Sequence, residues 1–468
     1  MFDISSLTLA YLLAEWVVRL VMILVIPQRR APEAARSWLL LFLFVPIPAL
    51  IVYRMIGRAR FPAWRRRRFA STGDARSAVA ERLAGGAAAP LDAKPLARLA
   101  RTLGGFPVTG GNRIELTADY EDAVRLMVRD IDAATSRVHL LTYIFADDRT
   151  GRAIAEALGR ARRRGVEVRV LVDALGSHQW AARTMDLLAS LDVDARLVLP
   201  VRLASLRRTR GDLRNHRKLC LIDGRAGFVG SQNIVDRDFK PGIVNDELVA
   251  RVEGPVVMAL DTVFACDWYL ETEVWLAPLD VAGRPGEANL QAMPSGPDFD
   301  VPGYERLLVE MVHGARRRVR IVSPYLIPDE SLLVAMKNAV ARGVEVDLIV
   351  SALADQRLVS LAQHSYYDEL LSAGIGIHQY RERLLHAKNV LVDDRVGIVG
   401  SSNADVRSFM LNAEISLILH DEAACRSLGR IHDLYIGRSD PLTLQDWRGR
   451  SRISRVLENG ARMVSPLL

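Results

Sequence analysis

Cysteine is scarce. The 468-residue chain has three, at positions 220, 266 and 425, and none in C-x-x-C spacing. That excludes a disulfide framework, argues against a zinc site, and fits a reducing compartment. Basic charge is also scarce over most of the chain, despite a net charge of +7 and a pI near 9.5. The first 70 residues hold 11 Arg, no Lys and only Asp3, Glu15 and Glu33 as acids, a net of +8 that leaves −1 for the remainder. A nucleic-acid-binding body would carry its own positive excess, so no nucleic acid is expected as a partner. The excess sits instead beside apolar segments, as for contact with an anionic membrane surface.

Two mostly apolar runs cover residues 7–26, ended by Pro27, and residues 37–53, with Trp38 and Tyr53 near the ends. A helix of about 20 residues spans about 30 Å, the thickness of a bilayer core. The expectation is two N-terminal transmembrane helices. Glu15 and Arg19 are four apart and can pair on one helix face. Pro46 and Pro48 kink the second helix or make it re-entrant. A cleaved signal peptide does not fit, because no basic n-region precedes the first run and a second run follows it. Arg54, Arg58, Arg60 and Arg65–Arg68 follow the second run, against Arg29, Arg30 and Arg36 in the connecting loop. This bias puts the N-terminus and the rest of the chain on the cytoplasmic side of the cell (inner) membrane, in a multi-pass topology. The Arg65–Arg68 block is then expected on lipid phosphates. Residues 1–69 read as this anchor with its basic flank. Residues 70–111, rich in Ala and Gly, read as a linker with one short helix around 91–103.

From residue 115 the pattern alternates helix and strand, and it does so twice. Arg164-Gly165-Val166-Glu167-Val168 returns as Arg342-Gly343-Val344-Glu345-Val346. This is an internal duplication of an α/β unit with a mainly buried, partly parallel sheet. The halves are taken as 112–285 and 286–468.

Each half carries one short motif. His216-Arg217-Lys218 leads to Asp223, and His386-Ala387-Lys388 leads to Asp393, both H-x-K-x4-D. Each continues through a glycine-serine turn (Gly230-Ser231-Gln232-Asn233 and Gly400-Ser401-Ser402-Asn403) to Asn245-Asp246-Glu247 and Asn412-Ala413-Glu414. A strand with no task would not bury a lysine beside a histidine. The residue types suit phosphoryl transfer. A neutral imidazole can attack phosphorus, and a second can protonate the leaving alkoxide and then deprotonate the incoming nucleophile. Lys218 and Lys388 supply positive charge to the phosphoryl oxygens, and Asn233, Asn403, Ser231 and Ser401 can donate further hydrogen bonds. Glu247 and Glu414 are placed to orient the histidines as the carboxylate of a triad does. In a strand His and Lys two apart share one face, so the two motifs converge if their strands face each other. Asp223 and Asp393, the third members of the catalytic signature, sit at strand ends and read as structural.

This pair of motifs resembles the phospholipase D superfamily over residues 105–468, and within it the bacterial cardiolipin synthase family. The likeness rests on Arg214-Asn215-His216-Arg217-Lys218, Gly227-Phe228-Val229-Gly230, Ser295-Gly296-Pro297-Asp298, Ser323-Pro324-Tyr325 and the run from Asn403 to Glu414. It implies a duplicated α/β/α sandwich with two H-x-K-x4-D halves after the membrane helices. It also implies condensation of two phosphatidylglycerols into cardiolipin and glycerol through a phosphatidyl-histidine, with no metal and no cofactor. By family analogy His216 is the nucleophile and His386 the acid and base, although the symmetry of the motifs permits the reverse. A phospholipase D hydrolase, or a synthase using phosphatidylethanolamine as co-substrate, would show the same motifs. A superfamily nuclease is opposed by the −1 charge, and a dead scaffold by the completeness of both motifs. Tyr143 and Tyr325 end equivalent strands and can line the pocket. Arg202, Arg207, Arg208 and Arg210 can meet a headgroup phosphate. Among the other histidines only His364 stands out.

Overall fold

The computed structural model describes residues 4–29, 32–57, 61–84, 91, 94–200, 211–280 and 283–464. Arg202, Arg207, Arg208 and Arg210 lie outside the described residues.

Helix α1 (Ile4–Val25) is the one described helix long and apolar enough to cross a membrane. Leu9, Leu12, Leu13, Trp16, Leu20 and Leu24 are 47–68 % exposed along it, far more apolar surface than a water-facing helix tolerates. Glu15 and Arg19 pair at 3.1 Å, and Arg19 also donates to Leu43 O. The second apolar run is not one helix. Pro46 splits it into α2 (Pro32–Phe44) and α3 (Pro46–Ile56), because its ring cannot sit inside a continuous helix. At 13 and 11 residues each is too short to span a bilayer alone. Trp38 and Phe42 each meet Tyr53 edge to face, and the three close a small core on Met22 of α1 and on Ile26 just after it.

The Arg65–Arg68 block is not a uniform lipid-facing patch. It lies in α4 (Ala63–Ala70), and helical periodicity turns Arg65 and Arg68 inward together. Arg65 pairs with Glu271 at 2.6 Å and lies 4.0 Å from Asp298, while Arg68 donates to Leu270 O at 2.6 Å and pairs with Glu273. Two arginines thus grip the C-terminal, electronegative end of the helix Val256–Thr272. The segment expected as linker is more ordered than its Gly-rich ends imply. Helix α5 (Gly73–Ala84) packs Val79, Ala80 and Leu83 into the main core, and a further helix, Pro95–Gly104, is closed by Gly105 at φ 91°. Alanine favours helix, so the same composition serves a packed connector.

The strands of the first half are β1 (Thr109–Thr117), β2 (Arg137–Thr142), β3 (Glu167–Asp173), β4 (Asp194–Val198), β5 (Arg214–Asn215), β6 (Leu219–Ile222), β7 (Ala226–Gly230), β8 (Asn245–Asp246) and β9 (Val249–Glu253). Those of the second are β10 (Ala288–Ser295), β11 (Arg318–Val322), β12 (Leu326–Ile327), β13 (Glu345–Ser351), β14 (Gly376–Tyr380), β15 (Leu384–Leu385), β16 (Asn389–Val392), β17 (Val396–Gly400), β18 (Ala404–Asp405), β19 (Asn412–Leu419) and β20 (Ser439–Pro441). One mixed sheet runs β20-β14-β13-β11-β16-β17-β19-β10-β1-β9-β7-β6-β2-β3-β4. Read outward from the β10–β1 seam, the two halves have the same order, with β20 added at one edge. The recurring Arg-Gly-Val-Glu-Val marks equivalent corners: Gly165 and Gly343 take φ of 88° and 82°, which favours glycine, and Arg164 and Arg342 donate to carbonyls of the preceding helix in each half. The motif strands β6 and β16 do not pair, contrary to the expectation that they face each other; six strands separate them in the sheet. Apolar residues of both halves, among them Leu219, Val252, Leu391 and Leu417, form one shared core.

Removing Arg65 strands Glu271 and Asp298 without their cation. Arg65→Ala is expected to destabilise the protein by about 3 kcal/mol, and exposed Arg67→Ala by less than about 0.5 kcal/mol. Thermal unfolding of the detergent-solubilised full chain measures both.

Candidate active site

Two short ladders, each joining one half to the other, build the centre. β5 runs parallel to β19 with Arg214 opposite Asn412 and Asn215 opposite Ala413, and His216 N–H donates to Ala413 O at 2.8 Å. β15 runs parallel to β8 with Leu384 opposite Asn245 and Leu385 opposite Asp246, and His386 N–H donates to Asp246 O at 2.8 Å. The next residue on each strand is a histidine on one side and a glutamate on the other. His216 Nδ1 therefore meets Glu414 at 3.0 and 3.1 Å, and His386 Nδ1 meets Glu247 at 2.7 Å. Each half's histidine is held by the other half's carboxylate. A carboxylate can only accept, so each Nδ1 carries a hydrogen and each Nε2 is the ring nitrogen left free to attack or to exchange a proton. Both rings line one pocket of about 470 Å³.

Burial dominates the titration of these groups. It drives His216 down to about 4, against the pull of Glu414 and with the help of Lys218, so the ring is neutral and nucleophilic at pH 7. His386 is lowered for the same reason, opposed by Glu247. Burial resists ionisation of the two glutamates, but the adjoining imidazole, its hydrogen bond and the lysines outweigh it; Glu247 falls to about 2 and Glu414 is lowered too. Burial lowers Lys218 to about 7 and Lys388 to about 8, with the other ammonium adding to the effect at Lys218. Lys218 Nζ donates to His216 O at 2.7 Å and Lys388 Nζ to His386 O at 2.5 Å. Among the described residues neither amine has an ion-pair partner. Two buried cations without a paired anion make a site that favours an anionic ligand.

The remaining expected residues divide. Asn233 and Asn403 line the pocket. Asn233 Oδ1 accepts from Ile144 N–H at 3.2 Å, which leaves its amide hydrogens for a ligand. Ser231 and Ser401 do not face the pocket, contrary to expectation. Both are fully buried: Ser231 Oγ bonds to the backbone of Leu248, and Ser401 Oγ donates to Glu414 and accepts from Ile415 N–H. Their hydroxyls are spent on fixing the glutamates and their strands. Asp223 and Asp393 likewise stand outside the pocket. Asp223 accepts the backbone N–H groups of Thr135, Ser136 and Arg137, and Asp393 those of Arg316, Arg317 and Arg318. Each holds the corner before the neighbouring strand, so neither belongs with the reacting groups. His364 packs on Tyr367 and Trp447, away from the site.

Tyr143 stands edge-on to His216 with ring centres 4.9 Å apart, and Tyr325 lines the opposite wall. Two residues that carried no signal in the sequence join them. Lys240 of the first half bonds to Asp355 of the second at 2.5 Å, and Asp355 also accepts from Tyr325 OH at 2.5 Å. This bridge crosses the pocket from one half to the other. A lysine and an aspartate 115 residues apart have no shared pattern to betray them. Deeper, Arg217 binds Asp267 through two contacts of 2.6 and 2.8 Å and donates to Glu414 O, tying the motif to the core.

Two oriented imidazoles in one pocket, each followed two residues later by a buried lysine and each from one duplicated half, define the two-histidine phosphotransfer class. A family model described as cardiolipin synthase, PLD-like domain, matches residues 127–268 and 308–432. The chain is 33 % identical to cardiolipin synthase A of Pectobacterium carotovorum and 34 % identical to that of Serratia proteamaculans, each over 95 % of both chains. The fold is shared with the crystal structure of phosphatidylserine synthase from Haemophilus influenzae, at a TM-score of 0.61 and 15 % identity, over 80 % of this chain and all of that one. The chain belongs to the cardiolipin synthase family of phospholipase D-like proteins.

Glu414→Gln and Glu247→Gln keep shape but offer an amide in place of the carboxylate. Each is expected to lower kcat by on the order of 10³ through the wrong tautomer, with little change in folding. The pH profile carries a second test. Lys218 loses its charge as pH rises through about 7, so kcat/KM should fall on the alkaline side from there. Lys218→Arg, which stays charged, should move that limb up to the titration of Lys388, about 8, at a lower overall rate. An alkaline limb that stays unmoved in the variant assigns the titration elsewhere.

Proposed function

We propose that the chain is a membrane-anchored phosphatidyltransferase that converts two phosphatidylglycerols into cardiolipin and glycerol. The observation that carries this is the pair of carboxylate-oriented histidines, one from each half, lining one pocket with Asn233 and Asn403, with a buried lysine two residues after each histidine. Support for a lipid comes from the apolar lining beside it, including Ile144, Phe239, Ile327 and Leu384, and from the exposed apolar surface of α1.

His216 is the nucleophile. Its Nε2 forms a bond to phosphorus while the bond from phosphorus to the glycerol headgroup breaks, and His386, which enters the cycle protonated at Nε2, gives that alkoxide its proton. His386 then takes a proton from a headgroup hydroxyl of the second lipid. That oxygen bonds to phosphorus, the phosphorus–nitrogen bond breaks, and His216 returns neutral. Burial down to about 4 suits His216 for the first role. Glu247, 2.7 Å from its Nδ1, steadies the protonated form of His386 when it acts as the acid. Lys218, Lys388, Asn233 and Asn403 hold the phosphoryl oxygens as negative charge develops on them.

In this reading α1 crosses the cell membrane. α2 and α3 return through it as one arm bent at Pro46, and the arginines after it keep the catalytic halves, 112–285 and 286–468, on the cytoplasmic side.

Purified full-length protein given phosphatidylglycerol alone is expected to make cardiolipin and glycerol in equal amounts, with turnover retained in chelator. Phosphatidic acid as the main product would move the reading to a hydrolase, and product only after phosphatidylethanolamine is added would change the co-substrate. His216→Ala and His386→Ala should each lower turnover at least about 10⁴-fold; substantial activity in either contradicts the two-histidine mechanism.

A further inference from the structure

A second and larger cavity, of about 1050 Å³, lies between the membrane hairpin and the catalytic body. Its hairpin wall carries Met22, Val25 and Leu50, and its catalytic wall Phe299, Phe409 and Met410. Arg29, Arg54 and Arg66 stand around it, with Asp300 as the one acidic residue of the lining. Arg66 is there because α4 turns Arg65 and Arg68 the other way, into ion pairs with Glu271 and Glu273. Arg29, Arg54 and Arg66 are all exposed and form no ion pair among the described residues. The cavity is thus apolar along its walls and cationic around its lining.

Its position matters more than its size. The helix Val406–Met410 is a shared wall: Val406 and Arg407 line the catalytic pocket, while Phe409 and Met410 line this cavity. Five residues of helix measure about 7.5 Å, less than a lipid headgroup with its glycerol backbone. On its other side the cavity begins at the C-terminal turns of α1, whose outer face is exposed and apolar.

We propose that this cavity is an antechamber that binds an anionic phospholipid beside the catalytic pocket. The guanidiniums of Arg29, Arg54 and Arg66 take its phosphate, and Met22, Val25, Leu50 and Met410 take the upper part of its acyl chains. A guanidinium pairs with a phosphate through two parallel hydrogen bonds, and the excess of three cations over one carboxylate selects an anion. The apolar wall selects a lipid over a free phosphate ester. The bound lipid lies one short helix from His216 and His386, ready to supply the next headgroup without leaving the protein. This inference rests on the lipid reading of the catalytic pocket, and its test separates the two.

The test is photolabelling of the full-length protein in phosphatidylcholine nanodiscs containing phosphatidylglycerol with a diazirine in its acyl chain. Label is expected on peptides containing Met22–Gln28, Leu50–Arg54 and Phe409–Met410. Arg54→Glu with Arg66→Glu is expected to reduce that label about tenfold and to raise KM for phosphatidylglycerol by a similar factor. Both residues are exposed, so charge reversal leaves the core untouched. Label confined to the outward residues of α1, such as Leu9, Trp16 and Leu24, or label unaltered by the charge reversal, overturns the proposal. So does displacement by glycerol 3-phosphate as effectively as by unlabelled phosphatidylglycerol, which would make it an anion site only. Cavity label in a wild-type protein that makes no cardiolipin supports the antechamber and removes the synthase reading; cardiolipin formation with no cavity label does the opposite.

Discussion

Everything at the centre depends on a crossed pair of hydrogen bonds between the halves: His216 to Glu414 and His386 to Glu247. Each is set by a two-residue parallel ladder, one residue before the histidine and one before the glutamate. Backbone pairing fixes register, and register fixes which carboxylate faces which ring. Neither half can orient its own imidazole, so duplication alone does not make a site. The shared core along the seam holds the ladders in place, and Arg217, which grips Asp267 and the carbonyl of Glu414, locks the first motif to both. Breaking such a buried arginine pair costs about 3–5 kcal/mol, so the geometry is strongly held.

Charge is arranged on the same economy. Lysine occurs at only five positions in the chain, 94, 218, 240, 337 and 388, where arginine is used almost everywhere else. Two of the five donate to the backbone carbonyls of the histidines and a third bridges the pocket to Asp355. An ammonium is compact and its pKa yields to burial, whereas a guanidinium stays charged. Two residues after each histidine, burial can therefore tune a lysine's charge as it could not tune an arginine's. Next to the apolar N-terminal helices the opposite choice is made. Arginines of α4 pin the catalytic body through Glu271 and Glu273 on one face, and leave Arg66 to the cavity on the other.

Much of this was legible in residue order. The repeated motif and the two asparagines were readable because each half repeats them at the same spacing, and the two glutamates because each ends an Asn-x-Glu that follows the glycine-serine turn. The pairing of each glutamate with the opposite half's histidine was not, since it rests on ladders between residues about 140 and 200 apart in sequence with no periodicity of their own. Ser231 and Ser401 were misread because a hydroxyl after a glycine turn suits a ligand and a neighbouring carboxylate equally. Asp223 and Asp393 carry the motif's name but serve corners, as their left-handed φ of 54° and their backbone N–H partners show. In the anchor, a run of four arginines read as one patch, when the helical period divides it.

The central claim is that His216, oriented by Glu414, is the atom that takes the phosphatidyl group. The most direct measurement uses a phosphatidyl ester of p-nitrophenol, a leaving group that needs no proton, with His386→Ala protein. The account predicts a burst of one equivalent of p-nitrophenolate and a phosphatidyl adduct on the peptide carrying His216. It predicts a burst slowed by orders of magnitude when Glu414→Gln is added. An equal burst in a His216→Ala, His386→Ala protein, or an adduct on any other residue, would contradict it.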